Sequence, residues 1–410
     1  MKGNRERIKY ALRCPIAVFG DGVSGRAAAR LARSFGAQVE IFEENGALFG
    51  PREAEWAKVV VSSPGFSKDH PWLALARKSG CAVVGELDFA SVAWPGEIIA
   101  VTGSNGKTTV TEFLTKVLRE AGNEAVATGN VGHPLSAAAL ENASSSTIAV
   151  CEVSSFQAES LEFLRPSSVL WTSFSEDHLD RHADLHEYFE AKANLARRTT
   201  TDRLFLGTGV SEAARSLGRH YLKGFEWQSQ TSPRNQRVPL DSPFSLAPQR
   251  GNYSLVRAFC RERGLSDELI RGVAREFHLP GHRFFQPIQV GEVSFWNDSK
   301  ATNFGAAVAA CRHFAEKAFW IGGGQSKGGN LEAFCHRIKD VVRRAYLIGS
   351  SASEMLPHFA RAGTPARSFS SLGDAVKAAF REAGRGADIV FSPGFASFDQ
   401  FINYEDRGKC

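Results

Sequence analysis

The chain has 410 residues, 43% hydrophobic and 23% charged, a length expected to hold about three domains, each able to bury its own core. Its net charge of +5 is thinly spread, densest at Lys2, Arg5, Arg7, Lys9 and Arg13, a run without a signal peptide's apolar core, so composition offers no basis for nucleic-acid binding or secretion. Seven scattered cysteines (14, 81, 151, 260, 311, 335, 410) without Cys-x-x-Cys spacing predict a reducing cytoplasm and no structural zinc. No apolar stretch approaches the roughly twenty residues that span a bilayer, which predicts a soluble protein.

The first strand signal, Ile16 to Phe19, runs into Gly20-Asp21-Gly22-Val23-Ser24-Gly25 and an Ala/Arg-rich helical stretch, and a second, Gln38 to Phe42, ends at Glu43-Glu44. A glycine turn between strand and helix, with an acid about twenty positions on, is the dinucleotide fingerprint. By itself it suits NAD or the diphosphate of another nucleotide equally. Strand-like runs at 58–62 and 81–84 follow, and Pro95-Gly96 marks the first expected domain boundary, at about residue 95.

Residues 98–102 form an apolar run that breaks into Gly103-Ser104-Asn105-Gly106-Lys107-Thr108-Thr109 ahead of a helical pattern. Small residues let consecutive N–H groups converge on phosphate oxygens, Lys107 supplies a point charge, and the Thr108 hydroxyl is a Mg2+ ligand. The nucleotide predicted is ATP or GTP. Val101 replaces the first glycine of the long Walker pattern, so the context of strand and helix carries the assignment. A strand over 147–152 then delivers Glu152 at its C-terminal end, where ligands bind in open α/β sheets. Residues 175–182 bring His178 and His182 without the offsets of a zinc protease, so His178 is read as a ligand for a hard cation beside the nucleotide.

In the last third, strand-like runs open into polar loops at Asn297–Asn303, 321–328 and 389–401, the pattern of ligand-facing edges in a parallel α/β domain.

Taken in order, these motifs resemble the Mur ligase family over nearly the whole chain, and most of all its D-glutamate-adding members. The resemblance rests on the phosphate loop at 103–109, Gly129-Asn130-Val131-Gly132, the stretch from Glu152 to Gln157, Glu176 to Arg181, Glu190-Ala-Lys192, Gly281-His-Arg283 and the three late loops. It implies an α/β protein of three domains: a Rossmann-like nucleotide-binding domain over 1–95, a central P-loop domain over 96–282 and a Rossmann-like amino-acid-binding domain over 283–410.

The implied activity is ATP-dependent addition of D-glutamate to UDP-N-acetylmuramoyl-L-alanine through an acyl phosphate, by a cytoplasmic monomer of peptidoglycan synthesis. The implied catalytic residues are Lys107, His178, Lys192 and Arg283, with Lys192 carbamylated. ATP falls to Gly103, Ser104, Asn105, Gly106, Lys107, Thr108, Thr109, Asp298 and Lys300, and two Mg2+ ions to Thr108, Glu152, His178 and the modified Lys192. The UDP substrate falls to Gly22, Val23, Ser24, Glu43, Ser63, Asn130, Ser154 and Gln157. Thr302, Lys327, Ser397, Phe398 and Tyr404 fall to the amino acid. Under this reading the N-terminal glycine turn binds UDP and not NAD. The chain departs from the family pattern at 171–174, at 204–209 and at Gly394-Phe395. Alternatives are a ligase for L-glutamate or another amino acid, an NAD-dependent oxidoreductase, which leaves the second phosphate loop unexplained, and a non-catalytic nucleotide-binding homologue.

Overall fold

Short runs of β-branched and aromatic residues alternate with helix-forming stretches, and the resulting strands collect into three sheets. The computed structural model describes residues 13–142, 144–201, 203–218, 225–226, 238–284 and 287–410. The basic run from Lys2 to Lys9 and parts of 200–250 lie outside them.

The first sheet holds β1 (Ile16–Phe19), β2 (Val39–Phe42), β3 (Val59–Ser62) and β4 (Ala82–Gly85) in the order β2-β1-β3-β4. The second holds β5 (Ile98–Thr102), β6 (Ala125–Gly129), β7 (Ile148–Glu152), β8 (Ser168–Ser173), β9 (Leu204–Thr208) and β10 (Phe225–Glu226), ordered β10-β9-β8-β5-β7-β6. Every pairing in these two sheets is parallel. The third holds β11 (Ile288–Val290), β12 (Val293–Asn297), β13 (Ala318–Gly323), β14 (Val342–Ile348), β15 (Ala366–Ser368) and β16 (Asp388–Phe391), ordered β11-β12-β16-β13-β14-β15, with β11 antiparallel to β12. The protein is therefore an α/β assembly of two parallel sheets and one mixed sheet, parallel except at β11. Strands buried on both faces explain why β5 and β7 read as unbroken apolar runs.

One apolar core runs from the first sheet into the second, joining Val18, Leu31 and Leu87 to Ala149, Leu161 and Trp171. The helix Glu86–Ala93, just before Pro95, makes the join polar as well. Asp88, 1% exposed, accepts the backbone N–H groups of Glu162, Phe163 and Leu164 at 2.6 to 3.0 Å, and Glu86 accepts that of Ser136 at 2.8 Å. Burial pushes both carboxyls above the ordinary range, and the N–H donors oppose it. Among the described residues no helix is long and apolar enough to cross a membrane.

Close approach dictates glycine at the first turn: a Cβ on Gly25 lies 1.8 Å from the Gly20 carbonyl oxygen. Gly25→Ala is expected to destabilise the protein by roughly 1–3 kcal/mol, the usual cost of forced overpacking. Gly272, exposed within the helix Asp267–Arg275, meets nothing within 4 Å, so Gly272→Ala is expected to stabilise by about 0.5–1 kcal/mol. Urea unfolding of both variants checks the pair, and equal shifts contradict it.

Candidate active site

β5 lies between β7 and β8 in the middle of the second sheet, so loop 103–106 emerges at its C-terminal edge. Gly103 has φ +145° and a Cβ there would lie 2.0 Å from Thr172 Oγ1, while Gly106 has φ +85° and a Cβ there would lie 2.3 Å from Asn252 Oδ1. Both conformation and space require glycine. The end of β8 holds the loop open: Ser104 N donates to Ser173 O and Asn105 N to Ser173 Oγ, each at 2.9 Å. Ser104 Oγ lies 3.0 Å from Tyr188 Oη. The helix Lys107–Glu120 starts with no side-chain cap, leaving its first N–H groups and the positive end of its dipole for an anion. Thr108 sits in that first turn, whereas Thr109 is fully buried and its hydroxyl has no hydrogen-bond partner.

Two lysines converge on this loop. Lys107 Nζ donates to Gly103 O at 2.9 Å and Ser104 O at 3.1 Å, and Lys192 Nζ donates to the same Gly103 O at 3.0 Å. Burial lowers the Lys107 pKa against the pull of Glu152 and Asp177. Lys192, 1% exposed over the Tyr188 ring, is lowered much further, first by burial and then by Lys107.

Glu152 ends β7 at 3% exposure; Oε1 accepts from Asn130 Nδ2 at 3.2 Å, and Oε2 is buried without a hydrogen-bond partner. His178 adopts φ +56°, a left-handed conformation uncommon for a non-glycine residue, with its ring edge-on to Phe156. Burial brings its pKa down to about 4, Lys327, Lys107 and Lys192 adding to burial and Asp177 opposing it, so the imidazole is neutral and able to ligate a metal at neutral pH. Among the described residues no three His, Cys, Asp or Glu side chains converge on a metal position. A Mg2+ held by one or two protein groups, waters and substrate phosphates needs no such cluster, and the free Glu152 oxygen fits that role.

Sequence reasoning passed over Asp177, between two motif residues. Its carboxylate accepts Lys327 Nζ at 2.7 Å, Asn303 Nδ2 at 3.0 Å and the His178 N–H at 3.0 Å. Burial alone raises its pKa, but Lys327 and His178 bring it below the ordinary value. Asn303 also exchanges side-chain hydrogen bonds with Asn105, at 2.9 and 3.2 Å. One loop of the third sheet thereby meets the phosphate loop at Asn105 and another meets the segment after β8 at Asp177, and Thr302 and Lys327 line one cleft with Asp177, Gly328 and Gly394.

Other candidates are differently engaged. Asp298 faces its own scaffold, accepting Ser392 Oγ at 2.9 Å and the Phe284 N–H at 3.2 Å, and burial pushes its carboxyl up to about 7. Lys300 lies 3.7 Å over the Tyr404 ring and is lowered to about 8 by burial, which couples a candidate for the nucleotide to one for the amino acid. Arg283 Nε is buried without a hydrogen-bond partner. Ser397 is buried and its neighbour Phe398 is 70% exposed. Ser154 and Gln157 satisfy each other as a capping box at 3.0 to 3.2 Å.

A separate group gathers at the C-terminal ends of β1, β2 and β3. Gly22 caps the helix Val23–Ser34 without a side-chain hydrogen bond, and Val23 and Ser24 form its open first turn. Glu43 fixes the turn by accepting the Asp21 N–H at 2.7 Å, and Ser63 Oγ is buried beside Gly20 and Gly25 with no hydrogen-bond partner.

A family model described as the Mur ligase middle domain matches residues 101–217. The UDP-N-acetylmuramoylalanine–D-glutamate ligase of Acidobacterium capsulatum is 32% identical, covering 96% of this chain and 94% of its own, and that of Gloeobacter violaceus is 35% identical, covering 96% and 97%. Among solved structures, the UDP-N-acetylmuramate-alanine ligase of Thermotoga maritima has a TM-score of 0.56 at 16% identity, covering 93% of this chain and 95% of its own, a likeness of fold.

Removing the Lys107 charge takes away a charged hydrogen-bond donor and no core volume. Lys107→Ala is expected to bind ATP roughly 10- to 100-fold more weakly, the worth of a charge-assisted hydrogen bond, with an unchanged circular dichroism spectrum. Calorimetric titration with ATP measures it, and wild-type affinity contradicts the assignment.

Proposed function

Because the chain belongs to the Mur ligase family, we propose that it is an ATP-dependent ligase joining D-glutamate to UDP-N-acetylmuramoyl-L-alanine in peptidoglycan synthesis. The observation that carries the reading is the meeting of Lys107 and Lys192 on one carbonyl, Gly103 O, at 2.9 and 3.0 Å in a buried loop. Two buried cations so placed call for anions, and an ATP polyphosphate supplies them to Lys107.

Lys192 resolves the repulsion differently. Its depressed pKa makes the neutral amine available; the amine nitrogen bonds to the carbon of CO2 and gives up one proton to solvent, leaving a carbamate, a carboxylate in place of a cation. Carbamylated Lys192, Thr108, Glu152 and His178 then form the oxygen- and imidazole-bearing set for two Mg2+ ions. When bound, Mg2+ neutralises charge on the phosphates and holds them in line.

In this reading residues 1–95 seat the UDP group, 96–282 hold ATP, and 283–410 bring the amino acid, in a cytoplasmic monomer. The loop amides and Lys107 hold the β- and γ-phosphates while the acceptor carboxylate attacks the γ-phosphorus, giving an acyl phosphate and ADP. The amine of D-glutamate then attacks the acyl carbon, and phosphate leaves. Arg283, with its free buried donor, stabilises charge at the junction of the central and C-terminal segments. Thr302, Lys327 and Ser397 receive the carboxylates of the amino acid. Asp177 already pairs with Lys327, so an incoming carboxylate joins an existing ion pair instead of rescuing a lone charge.

Phosphate release with ATP, Mg2+, the UDP-muramoyl-alanine acceptor and one amino acid at a time tests the function. D-Glutamate is expected to exceed neutral amino acids by about tenfold or more, since they forgo a charged hydrogen bond. Predominant incorporation of L-glutamate in a competition analysed by chiral chromatography keeps the ligase and removes the substrate assignment.

Lys192→Ala is expected to lose activity and to regain part of it with acetate, which fits the vacated space, while Lys192→Arg is not rescued. Full activity of Lys192→Ala without additive overturns the carbamate.

A further inference from the structure

The last helix, Tyr404–Lys409, buries an arginine that none of the chemistry above uses. Arg407 is 1% exposed, and among the described residues no carboxylate forms an ion pair with it. Its guanidinium spends its donors on two loops. Nε donates to Ser299 Oγ at 3.1 Å and Nη2 to Ser299 O at 2.8 Å, while Nη1 donates to Phe395 O at 3.1 Å and Ala396 O at 3.2 Å. Burial brings its pKa down to about 10, and Asp399 opposes the shift.

Each contact stands next to a candidate for the amino acid. Ser299 begins the short segment that carries Thr302, and Ala396 precedes Ser397. Ala396 also pairs with Gln325 by two backbone hydrogen bonds, Gln325 N to Ala396 O at 2.9 Å and Ala396 N to Gln325 O at 3.1 Å, and Gln325 lies two residues before Lys327. The helix is seated on the first loop by further bonds: Ser299 Oγ donates to Tyr404 O at 2.8 Å and Asn297 Nδ2 to Gly408 O at 2.7 Å. A planar five-donor fork is the side chain able to bridge loops in this way, because an ammonium concentrates its donors at one point.

We propose that Arg407 is a positioning residue that sets the spacing of the three loops presenting Thr302, Lys327 and Ser397, and so fixes the affinity for the incoming amino acid. The proposal rests on the ligase reading. Arg407 touches no substrate group; it acts by holding the backbone that does.

The test is steady-state phosphate release by Arg407→Lys and Ser299→Ala, with D-glutamate and ATP varied in turn. Arg407→Lys keeps the charge and loses the fork, and it is expected to raise KM for D-glutamate by about tenfold or more, as expected when a positioned group shifts by a fraction of an ångström. KM for ATP and kcat at saturating glutamate are expected to stay within about twofold, a split that general loss of structure does not produce. Ser299→Ala removes one acceptor of the fork and the hydroxyl donor to Tyr404 O with almost no change of volume, and it is expected to give a smaller rise in the same constant. If Arg407→Lys does not fold, Ser299→Ala decides alone. An unchanged KM for D-glutamate in the folded variants, or parallel changes in both KM values, overturns the assignment while leaving the ligase intact. Absence of glutamate-dependent release by the unaltered chain overturns the ligase reading and the pocket with it.

Discussion

Everything at the centre of this molecule converges on the carboxylate of Asp177. It stands on the segment after β8, inside the central unit, and receives Lys327 from one loop of the third sheet and Asn303 from another. Removing one partner of a buried ion pair of this kind typically costs about 3–5 kcal/mol, since the other charge is left uncompensated. The Asn303 amide carries the connection on to Asn105 in the phosphate loop. The residues read as holding phosphate and those read as holding the amino acid therefore share a single hydrogen-bonded seam. Two side chains, Asp177 and Asn303, link Lys327 to the phosphate loop.

The two glycine turns of the chain show how similar local signals acquire different chemistry. Both lie between a parallel strand and the uncapped start of a helix. The first presents Glu43 and Ser63 beside its turn and no lysine among the contacts that fix it. The second is flanked by Lys107, Lys192 and Glu152, which share one buried space: burial lowers both lysines, Lys107 lowers Lys192 further, and Glu152 opposes the lowering of each. Both turns leave helix N–H groups open, and the charges beside the second are the kind that phosphoryl transfer requires.

What was legible in the sequence was whatever depends on neighbours along the chain. The strand before the phosphate loop, the helix after it, and the delivery of Glu152 at a strand end all follow from local pattern. Pairings between distant residues were not legible. Nothing near Asp177 signals that Lys327, 150 positions away, is its partner, or that Arg407 reaches back 108 residues to Ser299. Tyr188 carries no motif, yet it contacts both Ser104 and Lys192. Asp298 carries a similar hidden pairing: its loop reads as facing a ligand, and its oxygens accept from Ser392 and the Phe284 backbone. A polar run identifies a functional edge without saying which of its members turns inward.

The central claim is that the acceptor carboxylate itself takes the γ-phosphoryl group before the amide forms. Acceptor labelled with 18O in its alanyl carboxylate, incubated with ATP, Mg2+ and D-glutamate, puts that claim to its most direct test by mass spectrometry of the released phosphate. Attack of the carboxylate on phosphorus carries one labelled oxygen into each phosphate. Amide product accompanied by unlabelled phosphate contradicts the account.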